Sequence, residues 1–131
     1  MYRYLVADDS LVVVMKNPAL GSPNGIAAGT RGALVVTSGT GEAYRLGAGG
    51  ERTAVLPPSQ RRFDGVEVLP DGGFLASSWG DQCVYRVGGD GTVTKAMEGV
   101  EAPADLGYDA GRNRVLVPLF NANRVIIHPL G

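Results

Sequence analysis

The sequence predicts an all-β protein of the β-propeller class, on three observations. A unit of about forty residues recurs three times, and the apolar residues inside it fall in short runs bounded by Gly, Asp-Gly or Pro. Glycine, at 20 of 131 residues, is spread evenly among Val, Leu, Ala and Thr instead of gathering in one linker. Many short strands separated by tight turns have that composition. A period near forty with four strands per unit is the sequence form of propeller blades.

The units align residue by residue. At an interval of forty, Asn24 meets Asp64 and Gly25 meets Gly65, followed by Gly32 with Gly72, Leu34 with Phe74, Val35 with Leu75 and Ser38 with Ser78. After a one-residue slip, Tyr44-Arg45-Leu46-Gly47 falls on Tyr85-Arg86-Val87-Gly88. The second unit meets the third at an interval of forty-one, with Asp64 on Asp105, Phe74 on Val115, Leu75 on Leu116, Trp79 on Phe120 and Val84 on Val125.

The 131 residues form a single domain, whose elements follow in order. Residues 1–20 carry "YRYLVA" and "SLVVVMK", two closing strands with no inner strands of their own. Residues 21–60 are blade 1, with strands at "GIAAG", "ALVVTSG", "EAYRLG" and "RTAVLP". Residues 61–101 are blade 2, with "GVEVLP", "GFLASSW", "QCVYRV" and "TVTKAM". Residues 102–131 are blade 3, with "DLGYDA", "RVLVPLF" and "RVIIHPL" and no fourth strand. None of these runs sustains the i, i+3, i+4, i+7 spacing of an amphipathic helix. "PDGG" at 70–73 and "GDG" at 89–91 supply the glycines that tight turns need.

Three blades do not close a ring, and an open arc leaves two blade faces and a strand edge bare. Twofold symmetry is the simplest remedy. The sequence therefore predicts a half-propeller: a homodimer closes six blades, and Val12 to Met15, which stand where Thr53 to Leu56 stand in blade 1, complete the partner's last blade by strand exchange. Residues 2–7 are either an extra outer strand or a competing third strand.

The totals exclude several classes. With 12 basic and 13 acidic residues the formal charge is −1, which favours neither nucleic acid nor an anionic membrane. The longest apolar run, Leu11 to Met15, is far shorter than the ~20 residues of a spanning helix or the ~7–15 of a signal-peptide core. A cytoplasmic location is the default expectation. The single cysteine, Cys83, and the single histidine, His128, form neither a disulfide nor a thiolate cluster, and both are expected as ordinary strand residues.

In a propeller, the connection that opens each blade shares a face with the loop between strands two and three. Asn24, Asp64 and Asp105 fall at those openings and are expected to converge near the axis. Oxygen donors of that kind suit a hard divalent cation such as Ca²⁺, although an Asx residue before a strand also caps its own turn. Trp79 and Asp81 of one strand-two-to-three loop, with Phe120, Asn121 and Asn123 of another, lie on the same face, where aromatic packing between blades beside a turn is the first expectation and the rim of a ligand pocket the alternative. The basic "QRR" at 60–62 is expected as a solvated loop, with binding of an anionic substrate group as the alternative.

"SPNGIAAG", "FDGVEVLPDGGFLASSWGDQCVYRV" and "PADLGYDAGRNRVLVPL" resemble successive blades of the senescence-marker-protein/gluconolactonase (regucalcin-like) family, six-bladed propellers with NHL-like blades. The resemblance covers about residues 20 to 130 and matches the C-terminal half of such a protein. It implies a divalent metal in the channel, with Asn24 as an Asn ligand and Asp64 as the catalytic Asp ligand, acting on a lactone or sugar-acid substrate. Asp105 matches no ligand position of that family, and the blades that carry its Glu and second Asn have no counterpart here. In the expected dimer the axis would instead set two copies of Asn24, Asp64 and Asp105 around the channel.

Two functions follow. One is a metal-dependent lactonase-type hydrolase or a remnant of one, with Asp64 as the base. The other is a non-catalytic binding or scaffold propeller whose main property is self-assembly. Another propeller hydrolase, strictosidine-synthase-like or phosphotriesterase-type, is a third possibility on fold alone.

Overall fold

The computed structural model describes residues 1–131 and holds thirteen strands in four antiparallel sheets. Strands β1 (Tyr2–Leu5) and β2 (Ser10–Val13) form a hairpin. Blade 1 is β3 (Pro23–Gly29), β4 (Gly32–Thr37), β5 (Ala43–Leu46) and β6 (Arg52–Leu56), hydrogen-bonded in that order. Blade 2 repeats the meander with β7 (Phe63–Val68), β8 (Phe74–Ser78), β9 (Cys83–Val87) and β10 (Val93–Glu98). Blade 3 has three strands, β11 (Gly107–Asp109), β12 (Arg114–Leu119) and β13 (Arg124–Pro129). No helix is long and apolar enough to cross a membrane.

The blades stack through alternating side chains, because successive residues of a strand point to opposite faces of its sheet. Leu34 and Val36 of β4 meet Phe63, Phe74 and Ala76 of blade 2 in one buried cluster. Leu75 and Val84, on the other face of blade 2, meet Val115, Val117 and Leu119 of blade 3 in a second. Val35, Tyr44 and Leu46, on the far face of blade 1, are covered by Met1, Val14 and Met15. Each fully buried Leu or Phe contributes about 1.5–3 kcal/mol relative to an exposed one, so these clusters hold the blades together.

Burial and register correct the repeat in detail. Leu34 pairs with Arg45 and Leu75 with Arg86, and Leu34 and Leu75 both face the next blade. Leu34 is thus equivalent to Leu75, not to Phe74, and the one-residue slip lies in the turn before β4 and β8.

Backbone conformation repeats as faithfully as the side chains. Ser22, Arg62 and Ala102, the residues that open the three blades, are all left-handed, with φ of 59°, 48° and 44°. Across from them the N–H groups of Ser38, Trp79 and Phe120 donate to the carbonyls of Ser22, Arg62 and Ala102 at 3.0, 3.2 and 3.0 Å. These bonds tie each strand-two-to-three loop to its blade opening, on the one face expected from the sequence.

Residues 2–5 form the first strand of an N-terminal hairpin. Tyr2 to Leu5 pair with Val13 to Ser10 of the same chain, and the hairpin lies on blade 1 where a preceding blade would stack. Its outer face carries Tyr2, Tyr4, Leu11 and Val13, all more than half exposed.

Candidate functional site

A β-bulge opens each blade and aims the candidate residues. Pro23 pairs with Thr37 and Ile26 with Val35, so Asn24 and Gly25 together oppose the single residue Val36. Phe63 pairs with Ser78 and Val66 with Ala76, so Asp64 and Gly65 together oppose Ser77. An extra residue on one strand bends it and re-aims its side chains. Asn24 and Asp64 occupy the same place in successive blades.

Asp105 does not. Pro103 bridges to Leu119 and Gly107 pairs with Leu116, so residues 104–106 lie opposite residues 117–118. With Pro103 equivalent to Pro23 and Phe63, Ala104 takes the place of Asn24 and Asp64, and Asp105 takes that of Gly25 and Gly65. The three polar residues of the sequence repeat are two equivalents and a neighbour. Asp105 still reaches the cluster, and Gly65 makes room for it: a Cβ there would lie 2.6 Å from Asp105 Oδ1 and 2.7 Å from its Cα.

Two shallow depressions share Asn24 and Asp64. One, of about 190 Å³, is lined by Asn24, Ser38, Arg62, Phe63, Asp64 and Trp79. The other, of about 210 Å³, is lined by Asn24, Gly25, Ile26, Asp64 and Asp105. Trp79 Nε1–H donates to Asp64 Oδ2 at 3.0 Å, and Asn24 shares the walls of both depressions with Asp64. Burial, the largest influence, and the charge of Asp105 push its carboxyl above the ordinary value, while Trp79 and Asn24 oppose them. A carboxyl raised above its ordinary value beside an open depression is a candidate general base.

Glu67 was missed by the sequence reading. Burial and the charge of Asp105 raise its carboxyl as well, against a stabilising hydrogen bond from the Tyr108 backbone. The signal available was a charged residue on the innermost strand of a blade.

The outer candidates divide. The Trp79 and Phe120 rings meet at 5.5 Å between centroids with their planes 53° apart, and Phe120 remains 68% exposed. Asp81 is absorbed by its own loop, accepting the Tyr85 hydroxyl at 2.8 Å and donating its N–H to Ser78 Oγ at 3.1 Å. Asn121 donates to Glu101 at 3.3 Å, and Asn123 is a left-handed turn residue with φ 49°. Asp81, Asn121 and Asn123 line neither depression, whereas Ser38 and Arg62 line the first. Cys83 is buried, and burial pushes its thiol up.

The donors suit a hard cation in kind but are few. Asp64 Oδ2 and Asp105 Oδ1 already accept N–H groups from Trp79 and Leu106, leaving one oxygen on each and the Asn24 carbonyl. Ca²⁺ takes about 6–8 oxygens, so the remainder would be water or donors outside this cluster. No group of three His, Cys, Asp or Glu side chains is placed to hold a metal.

No protein-family model and no curated protein sequence matches the chain. Solved structures do. It is similar to virginiamycin B lyase from Staphylococcus aureus, at 14% identity over 85% of this chain and 42% of that one, with a TM-score of 0.61. It is also similar to a streptogramin B lyase, at 12% identity over 84% of this chain and 41% of that one, with a TM-score of 0.68. A catalytically inactive H270A form of the Staphylococcus aureus lyase with quinupristin matches at 11% identity over 95% and 47%, with a TM-score of 0.62. The similarity shows the propeller fold, and the chain spans less than half the length of these structures.

Proposed function

We propose that the Asn24–Asp64 end of the blades is the reactive end of a propeller hydrolase acting on a lactone or ester, with Asp64 as general base. The observation that carries this reading is Asp64 itself: its carboxyl is raised by burial, fixed by Trp79 and open to two depressions. Asp64 takes a proton from the water that attacks the substrate carbonyl. Asn24 and Trp79 orient the carboxylate, and Arg62, on the depression wall, supplies a positive charge for an anionic group of the substrate. A divalent cation such as Ca²⁺, held by Asn24, Asp64 and Asp105, would polarise that carbonyl. The lyases named above extend the class to elimination, in which the same base removes a carbon-bound proton.

The test is hydrolysis of a panel of lactones and esters by the wild type and Asp64→Ala, with Ca²⁺ and with chelator. Turnover by the wild type, lost in the variant, is the expected result. Equal rates in both would overturn it.

The exposed apolar faces favour a second reading, an assembly module. The hairpin face of Tyr2, Tyr4, Leu11 and Val13 and the β13 residues Val125 and Ile127 mark the two ends of the stack, each more than half exposed. A homodimer covering them would close a ring of six blades. Absence of turnover together with a dimeric mass would support this reading over the first.

A further inference from the structure

The largest cavity, about 490 Å³, lies at the other end of the blades from Asp64, between blades 1 and 2. The turns β3–β4, β5–β6, β7–β8 and β9–β10 border it, through Arg31, Glu51, Gly72 and the glycines 88, 89 and 91. Arg45 lines it from β5. Its size is that of a small-molecule site, typically ~300–1,000 Å³.

Its charges are unbalanced. Arg31 and Arg45 line the same cavity, and neither has an ion-pair partner among the five salt bridges of the chain. Arg31 makes one long hydrogen bond, 3.4 Å to the Gly72 carbonyl. Arg45 is half-buried, and burial together with the Arg31 charge lowers its pKa. The one carboxylate on the wall, Glu51, is turned onto its own hairpin, where it accepts the Gly49 N–H at 3.3 Å.

The repeat supplies an internal comparison. Arg86 of blade 2 is the equivalent of Arg45, each lying opposite an equivalent leucine. Arg86 is neutralised by Asp71 of the β7–β8 turn at 2.9 Å. The corresponding turn of blade 1 carries Arg31, a charge of the opposite sign. The chain thus replaces an internal counterion with a second cation, and the cavity there is larger than the one of about 200 Å³ that the paired Asp71 and Arg86 line between blades 2 and 3.

We propose that this cleft is a second ligand site, which binds a small molecule through its carboxylate or phosphate group held by Arg31 and Arg45. Planar guanidinium groups bind such oxyanions through paired N–H donors, and the glycine-rich rim lets the ligand approach the backbone closely. Because the cleft lies at the far end of the blades, its occupancy is independent of chemistry at Asp64.

The test is calorimetric titration and thermal melting of the whole chain with inorganic phosphate and with succinate, against sodium chloride at equal ionic strength. Wild type binds one or both oxyanions and melts higher than in chloride. Arg31→Gln and Arg45→Gln each weaken binding by about tenfold or more, whereas Arg86→Gln, whose arginine is already paired, leaves it unchanged. The preference between phosphate and succinate identifies the class of ligand. A wild type that responds no more to either oxyanion than to chloride overturns the proposal. So does retention of binding in both cavity variants, or equal loss in Arg86→Gln.

Discussion

The indole N–H of Trp79 donates to Asp64 Oδ2 at 3.0 Å, which couples the chain's single tryptophan to its candidate base. Fluorescence therefore reports the ionisation of Asp64. The titration midpoint is expected above the ordinary aspartate value of 3.8, because burial and Asp105 raise it. Asp105→Asn should lower the midpoint, and Asp64→Asn should abolish the transition. A midpoint at or below 3.8 in the wild type would contradict the electrostatics described for this site.

The same shift fixes a stability prediction. A folded-state carboxyl pKa above its unfolded value stabilises the fold fully below the unfolded pKa, and that contribution is lost as pH rises through the folded pKa. Asp64→Asn should therefore be more stable than wild type at pH 7, read as a higher Tm. The difference should vanish in acid.

Ser77 bridges two blades: its Oγ accepts the Gly65 N–H and donates to the Ala104 carbonyl, both at 2.8 Å. Val36 holds the equivalent place in blade 1. Ser77→Ala leaves the buried Gly65 N–H and the part-buried Ala104 carbonyl without this partner and should cost about 1–3 kcal/mol in denaturant unfolding. A near-neutral effect would mean that water replaces the hydroxyl.

Gly65 and Gly107 separate steric need from simple turn preference. Gly65→Ala drives a methyl into Asp105 and the Leu106 backbone, whereas a Cβ on Gly107 meets only Leu116 Cβ at 3.8 Å. The first should be poorly folded or strongly destabilised and the second close to wild type, by circular dichroism melting.

Self-association is tested by mass. Leu11 and Ile127 are 65% and 53% exposed at the two ends of the stack, so charging them does not disturb the fold of one chain. Light scattering should give two chains for wild type and one for Leu11→Glu or Ile127→Glu. Deleting residues 1–16 should produce aggregation or loss of the dimer, and a well-behaved dimer after that deletion would sink the exchange of N-terminal strands.

Most of the fold was legible because alternation and glycine placement are local signals. "GFLASSW" and "RVLVPLF" declare strands whatever their neighbours do. Convergence of Asn24 and Asp64 was legible too, since equal spacing in a propeller means equal position. The place of Asp105 was not: register in blade 3 depends on pairing between Gly107 and Leu116, and a one-residue difference in a bulge leaves no trace in composition. Glu67 and the Arg31–Arg45 cleft escaped for a related reason, since neighbours across two blades lie far apart in sequence.

Ser22, Arg62 and Ala102 share one backbone conformation but bring a hydroxyl, a cation and a methyl to it. The blade openings therefore behave as interchangeable sockets. Their shape is set by main-chain bonds to Ser38, Trp79 and Phe120, and the side chain plugged into each is free to vary. Such a rim can be rewritten for a new ligand one socket at a time, without renegotiating the scaffold beneath it.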